Sequence, residues 1–322
     1  MNIYRSFDEL RPSPAGTALA IGNFDGLHLG HQKILRALVR EAVRRRLGSC
    51  LLTFSPHPEK MFGTKNIRMI QTLEQRLDGL CRAEVQSAFV APFDRWFADL
   101  PARAFAEQTL HHGLNASVVV VGAGFRFGQG RQGDLAMLKA LGREYGFEVR
   151  TVAPVIRHGS AVSSSRIRAL LGRGAVSRAA ELLGRSYTIE GDIISGDRRG
   201  RSLGFPTANV ETPNEIVPSG VFLTLCEVEG KLRPSVTNVG LRPTFARRTA
   251  ATTSARTRAR EDGLRSVETF ILDFDGKVYG APVKVHFLKK IREERTFRSP
   301  ADLVRQIGRD VAAARKYFEN MV

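Results

Sequence analysis

Cysteine is scarce in this chain. The 322 residues hold three, Cys50, Cys81 and Cys226, far apart and without a CxxC pair. That spacing excludes a disulfide framework and a zinc knuckle, and it suits a reducing, cytoplasmic setting. Long apolar runs are missing as well. Val118–Val121 is typical, far below the ~20 residues that a membrane span requires. The first eight residues lack a basic stretch followed by an apolar one, so no secretory signal is read there. The expectation is a protein that neither crosses a membrane nor is secreted. No internal repeat is visible. The one low-complexity stretch, Ala246–Arg265, is rich in Ala, Arg and Thr and is read as a mobile loop.

What is present is a foldable composition, 43% hydrophobic and 25% charged, long enough for two domains. Acidic residues are outnumbered and the net charge is +17. From Arg185 onward there are 24 basic residues against 17 acidic, and before it 25 against 15, so both halves are basic. Such a surface attracts nucleic acid, but it also attracts small polyanions such as nucleotides. Solvated arginines are the favoured account of the total charge, because no regular basic–aromatic interleaving is present.

The first half alternates short apolar runs with amphipathic stretches, the pattern of a parallel α/β sheet. Strands are expected at Thr17–Ile21, Ser49–Phe54, Ser87–Val90, Ser117–Val121 and Phe147–Val152. Helices are expected at His31–Leu47, with Ile34, Leu35, Leu38 and Val39 in its apolar stripe, at Ser163–Leu171 and at Val176–Leu183, where Gly184 suits a C-cap. After Gly184 the period changes. Tyr187–Ser195, Val221–Val228, Val267–Phe274 and Val278–Leu288 read as strands of a β-barrel or sandwich. A last helix begins at Ser299-Pro300, with Leu303, Ile307, Val311 and Phe318 expected on its buried face. Domains of residues 1–184 and 185–322 follow.

Gly22-Asn23-Phe24-Asp25-Gly26-Leu27-His28-Leu29-Gly30-His31 lies between the first strand and the first helix. Glycines let backbone N–H groups approach a ligand, and a helix N-terminus attracts phosphate. His28 and His31 can donate hydrogen bonds to a nucleotidyl group in transfer, or simply cap a turn. Ser163-Ser164-Ser165-Arg166-Ile167-Arg168 opens a later helix, which could hold phosphate through hydroxyls and a planar cation or be an ordinary serine cap. Together the two segments resemble the nucleotidylyltransferase superfamily, which shares its HxGH logic with class I tRNA synthetases. With Thr53-Phe54-Ser55-Pro56-His57-Pro58 and Val121-Gly122…Phe125-Arg126-Phe127-Gly128, the order and separations over residues 15–183 look like the FAD synthetase module of prokaryotic bifunctional flavin enzymes. That resemblance implies a Rossmann-like parallel sheet. It places His28 and His31 on the ATP phosphates, with Ser164 and Arg168 assisting. Gly22, Asn23, Phe24 and Asp25 would shape the nucleotide pocket, and Pro56, His57, Pro58, Phe125 and Phe127 would lie toward the flavin. The chain departs from the family's usual threonine at Ser165 and from its usual Asp or Asn at Gly124.

The stretch from Gly191 to Asn209 is dense in glycine and charge, and Gly196, Gly200 and Gly204 permit a flap with backbone donors toward phosphate. Thr207 and Asn209, two apart, face the same way in an extended segment. Their neutral oxygens, with ATP phosphates, suit Mg²⁺, although an ordinary hairpin with a Pro206 edge fits the same residues. The stretch resembles the riboflavin kinase signature, and the match continues through Asn238–Phe245, Val267-Glu268, Tyr279-Gly280 and Arg292–Phe297. The resemblance implies a small β-barrel with a terminal helix. In it Thr207 and Asn209 would bind Mg·ATP, Glu268 would take the proton of the riboflavin 5′-hydroxyl, and Arg292 and Phe297 would lie on the flavin side. Phe270 stands where the family commonly has histidine.

The whole then implies ATP-dependent conversion of riboflavin to FMN and of FMN to FAD, with ATP as co-substrate and Mg²⁺ as cofactor. Two other readings compete. One is a nucleic-acid binder on a synthetase-like fold, weakened by the lack of a KMSKS-like segment. The other keeps the kinase with a first module that only binds flavin, motivated by Gly124.

Overall fold

The computed structural model describes residues 1–61, 63, 67–195, 204–241, 265–276 and 278–320. They form two compact units, Met1–Ser164 and Ser165–Val322. Compactness thus divides the chain at Ser164, whereas the change in sequence period falls at Gly184.

In the first unit, β1 (Asn2–Tyr4), β2 (Thr17–Ile21), β3 (Gly48–Ser55), β4 (Ser87–Pro92), β5 (Ala116–Gly122) and β6 (Glu148–Val152) make one sheet in the order β1-β4-β3-β2-β5-β6. All its pairings are parallel. Its central strands are buried on both faces, which is why they read as continuous apolar runs. Ala18, Ala20, Leu51 and Val118 face one core cluster, while Leu19, Ile21, Leu52 and Val119 face the other. Helix α1 (Leu29–Arg45) covers the first face with Leu35, Leu38 and Ala42. After the short α2 (Pro58–Met61), helix α3 (Leu73–Arg82) adds Leu77 and Leu80 to the same face. The opposite face takes α4 (Arg95–Ala98), then α5 (Ala102–Ala104), which continues as a π-helix over Phe105–Gly113, and α6 (Leu135–Tyr145). A small hairpin, β7 (Ile156–Arg157) with β8 (Ser160–Ala161), precedes α7 (Ser164–Gly172).

Strand β2 has β3 on one side and β5 on the other, so the chain's winding reverses beside it. Ligands of open α/β sheets bind outside the carboxyl ends of the strands at such a reversal. The Gly22–His31 turn starts there.

In the second unit, α8 (Val176–Leu183) buries Val176, Ala179, Leu182 and Leu183 and ends at Gly184 in the left-handed conformation. It is followed by β9 (Tyr187–Ile194), β10 (Ala208–Glu211), β11 (Gly220–Val228), β12 (Lys231–Leu241), β13 (Arg265–Ile271) and β14 (Pro282–Arg292). These close into an antiparallel barrel in the order β10-β13-β12-β11-β14-β9, with β9 returning to β10. Closure leaves no open edge. Inside it, Thr224 bonds Ser235 and Thr237, both at 2.8 Å, and Thr237 bonds Thr269 at 3.0 Å, so these buried hydroxyls satisfy one another.

The last strand starts later than expected. Ala281 donates to the carbonyl of Val278 and Gly280 has φ 78°, so residues 278–281 turn rather than extend. The terminal helix α9 (Pro300–Glu319) begins as expected, with Ser299 Oγ accepting from the Asp302 N–H at 3.2 Å. Its buried face follows the expected stripe: Asp310 and Ala314 on it are covered, and Leu303, Ile307, Val311 and Phe318 beside them are half-buried, with Phe318 packed against the core. Asp310 takes the inner position because Arg292 meets it there. Among the described residues, no helix is long and apolar enough to cross a membrane.

Candidate active sites

The first site is a tight turn at the end of β2. Phe24, Gly26 and Leu27 all have positive φ, at 50°, 86° and 41°. Two of them are not glycine, so the turn is held by its surroundings. At Gly26 a Cβ would come within 3.0 Å of Ile70, so only glycine suits both its angle and its space. The Asp25 carboxylate, 1% exposed, accepts the backbone N–H of Ile70 at 3.0 Å and of Gln71 at 3.3 Å, tying the turn to the approach to α3. The Asp25 carbonyl accepts the Ser164 hydroxyl at 2.8 Å, which brings the start of α7 to the same turn.

The spacing of the histidines has a physical basis. His28 is the N-cap of α1, its Nδ1 accepting from the His31 N–H at 3.3 Å. A Cβ at Gly30 would stand 3.0 Å from the His28 ring, so glycine there lets the ring fold over the helix start. The two imidazoles stack at 3.6 Å between centroids, and Phe24 lies 4.8 Å from His31 on its other side. With Nδ1 accepting, a neutral His28 carries its proton on Nε2. Helix α1 has no acidic residue in its first turn, so its positive end is not neutralised from within. Capping thus uses Nδ1 and leaves Nε2 as the donor atom of the side chain.

His57 is buried and its Nδ1 accepts from the Glu59 N–H at 3.2 Å, between Pro56 and Pro58 at the start of α2. Phe125 and Phe127 stack at 5.7 Å, but Phe127 belongs to the core while Phe125 is half-buried. Gly124 beside them is exposed, with nothing within 4 Å of where a Cβ would be. Arg168 lies one turn beyond Ser164 along α7 and falls within the second unit.

The second site lies on the outer face of the barrel. Asn209 on β10 pairs with Glu268 on β13, and Glu268 pairs in turn with Asn238 on β12. Directly paired residues share a face, so one carboxylate stands between two carboxamides. Thr207, two residues before Asn209 and half-buried, precedes β10. Asn238 further pairs with Val221, and Val221 with Arg292. Arg292 is held bidentately by Asp310, its Nη2 donating to Oδ2 at 2.8 Å and its Nε to Oδ1 at 3.2 Å, and lies 5.9 Å from the Phe297 ring centre. Phe205 meets Phe270 edge-on at 5.6 Å on the Glu268 side of β13. Gly204 has φ 82°. Gly196, Gly200 and the Ala246–Arg265 stretch up to residue 264 lie outside the described residues.

These two arrangements have counterparts. Residues 10–166 match the family model described as FAD synthetase, and residues 183–318 match riboflavin kinase. A bifunctional riboflavin kinase/FMN adenylyltransferase of Escherichia coli (strain K12) is 36% identical, covering 99% of this chain and 98% of that protein. The chain belongs to the bifunctional riboflavin kinase/FMN adenylyltransferase family. Other members are the Haemophilus influenzae protein, 36% identical over 99% of this chain and all of that one, and the Bacillus subtilis protein, 33% identical over 97% of this chain and 96% of that one. A solved structure described as a macrolide-efflux protein from Streptococcus pneumoniae has a TM-score of 0.84 and 28% identity, covering 97% of this chain and 98% of that one. Its description stays with that protein.

Within this family frame, the sequence reading missed three groups. Asn238 flanks Glu268, Asp310 holds Arg292, and Arg76 on α3 is a buried cation beside the Gly22–His31 turn. Burial pulls the Arg76 pKa below the usual guanidinium value, and the nearby Asp25 and Glu74 charges oppose that shift.

Proposed function

We propose that the Asn209–Glu268 pair is the phosphoryl-transfer centre and the His28–His31 turn the nucleotidyl-transfer centre of one two-step enzyme. The chain phosphorylates riboflavin with ATP to give FMN and ADP, then joins FMN to the AMP part of a second ATP to give FAD and pyrophosphate. The functional division we assign is 1–184 for adenylylation and 185–322 for phosphorylation.

The observation that carries the kinase reading is the pairing of Asn209 with Glu268. Phosphoryl transfer needs an oriented nucleophile, a positioned phosphate and charge neutralisation. Glu268 takes the proton of the riboflavin 5′-hydroxyl, and Thr207 and Asn209, beside it, hold the ATP end. Their neutral oxygens suit Mg²⁺, which prefers hard oxygen ligands and keeps much of its water. When bound, Mg²⁺ offsets the negative charge of the phosphates. Gly204 lies toward the phosphates, while Gly196 and Gly200 are outside the described residues, and Arg292 and Phe297 face the flavin.

In the adenylyltransferase half, His28 Nε2–H and His31 donate toward the ATP phosphates, and the α1 N-terminus adds its dipole. Gly22, Asn23, Phe24 and Asp25 form the nucleotide loop, and Ser164 completes it. Pro56, His57 and Pro58, with Phe125, line the flavin side. The three unpaired cysteines agree with a reducing, cytoplasmic setting. Incubation with riboflavin, ATP and Mg²⁺ followed by chromatography tests the whole reading. FMN and FAD are expected together; FMN alone removes the adenylyltransferase assignment, and neither product removes both.

A further inference from the structure

Arg76 sits in the second turn of α3, 5% exposed, where a cation is costly unless it is satisfied. One terminal nitrogen donates to the Asn23 carbonyl at 2.6 Å, the other to the Phe54 carbonyl at 3.3 Å. Asn23 belongs to the turn that receives ATP. Phe54 is the second-last residue of β3 and leads directly into Ser55-Pro56-His57-Pro58 on the flavin side. The two carbonyls thus come from the two substrate-facing segments of the adenylyltransferase half. Asp25 holds the segment just before that helix through the Ile70 and Gln71 N–H groups. Thr72 and Gln75 lock the start of α3 in a reciprocal capping box.

We infer that Arg76 is a positioning residue for FMN adenylylation: its planar fork ties the ATP turn to the flavin segment and sets the distance between the two substrates. The inference rests on the assignment of nucleotidyl transfer to the His28–His31 turn. A guanidinium suits the task because it presents several donors in a fixed plane, whereas an ammonium reaches one carbonyl well and the second poorly. Neither carbonyl contacts a reacting atom, so Arg76 acts through the segments it joins. Substrates would still meet their own binding groups without it, but the attacking phosphate and the α-phosphate would no longer be held in line.

The test uses the full chain bearing Arg76→Met or Arg76→Lys, assayed for FMN plus ATP giving FAD, with riboflavin kinase activity as the internal control for folding. The expected result for Arg76→Met is a fall in kcat of ~10²-fold, the scale of a misplacement of about 1 Å, with KM for FMN and ATP little changed. Arg76→Lys should fall in between, and phosphorylation of riboflavin should be unaltered in both. Adenylylation kcat within about threefold of the parent in Arg76→Met, or a loss carried by KM alone, overturns the inference. If Arg76→Met lowers both activities through misfolding, Arg76→Lys decides, and full adenylylation by the lysine variant overturns the inference. A His28→Ala/His31→Ala variant run in parallel separates the two levels. If it still makes FAD, the site assignment has failed; if it is inactive while Arg76→Met is not, only the positioning role has.

Discussion

Asn209 and Glu268 stand directly opposite each other on β10 and β13, and Asn238 stands opposite Glu268 on its other side. The row continues through Val221 to Arg292. A closed barrel gives this row a fixed register, since slipping one strand by one residue would turn every side chain to the other face. Glu268, Asn209, Asn238 and Arg292 therefore share one rigid surface, the one on which the proposed phosphoryl-transfer centre is built. Their spacing does not depend on loops.

Glu268→Ala should abolish FMN formation, with a loss of roughly 10²–10⁴-fold as for other removed general bases. FMN supplied directly should still be converted to FAD, because the histidine turn belongs to the other half. Separate assays of the two steps check this. Loss of both in a folded protein argues against independent sites.

His28→Ala with His31→Ala should do the reverse, leaving riboflavin phosphorylation intact while FAD synthesis falls by ~10²–10³-fold, the usual effect of removing one aimed donor. Because His28 also caps α1, the variant should lose on the order of 1 kcal/mol of stability, as other lost side-chain caps do. Thermal melts alongside the kinetics separate the two effects. Unchanged FAD synthesis removes the assignment.

The parallel strands were readable because β2, β3 and β5 are buried on both faces and so consist of continuous apolar residues. The three-residue β1 and four-residue β10 are too short to show a period. Helix α3 carried a legible signal, the Thr72-x-x-Gln75 box, that the periodicity reading passed over. For Arg76 no local signal exists. An arginine on a polar helix face and one aimed inward look alike until Asn23 and Phe54 are brought beneath it. The apolar stripe of α9 marked the inward face but not its covered acid, since an ion pair with Arg292 places Asp310 where hydrophobicity alone puts leucine or isoleucine. At the histidine pair, capping and catalysis had read as alternatives, yet the Nδ1 contact leaves Nε2 to carry the proton.

Burial pushes the Cys50 thiol up to about 11 and the Cys226 thiol up to about 12. In the unfolded chain both titrate near ~8.5. Above that pH the unfolded state loses protons that the folded state keeps, so folding stability falls as pH rises, by up to roughly 1.4 kcal/mol per unit per thiol. Below it the two states bind equally and the thiols contribute no slope. Urea unfolding between pH 8 and 10 should show a shallower decline in Cys50→Ala/Cys226→Ala than in the parent. Alkylation of the native protein at pH 8 should label the exposed Cys81 alone. Equal slopes, or rapid native labelling of the buried pair, contradict the shift.

Gly124 offers the sharpest test of how completely the adenylyltransferase half is equipped. It lies in the turn closed by the Phe125 N–H to the Gly122 carbonyl at 3.1 Å, and its φ is not in the glycine-favouring range. With open space around the missing Cβ, Gly124→Asp should change stability by no more than ~0.5 kcal/mol, as exposed substitutions generally do. Related modules usually have Asp or Asn at this position, beside the half-buried Phe125. A restored carboxylate or carboxamide there can accept hydrogen bonds that glycine cannot. The expected outcome is therefore a severalfold rise in kcat/KM for FMN in FAD synthesis, with riboflavin phosphorylation unchanged and the melting temperature preserved. Gly124→Asn distinguishes charge from hydrogen bonding: equal gains in both variants assign the effect to the acceptor oxygen, a gain in Asp alone to its charge. If neither variant raises kcat/KM, flavin positioning in this chain does not depend on position 124, and the half works as it stands.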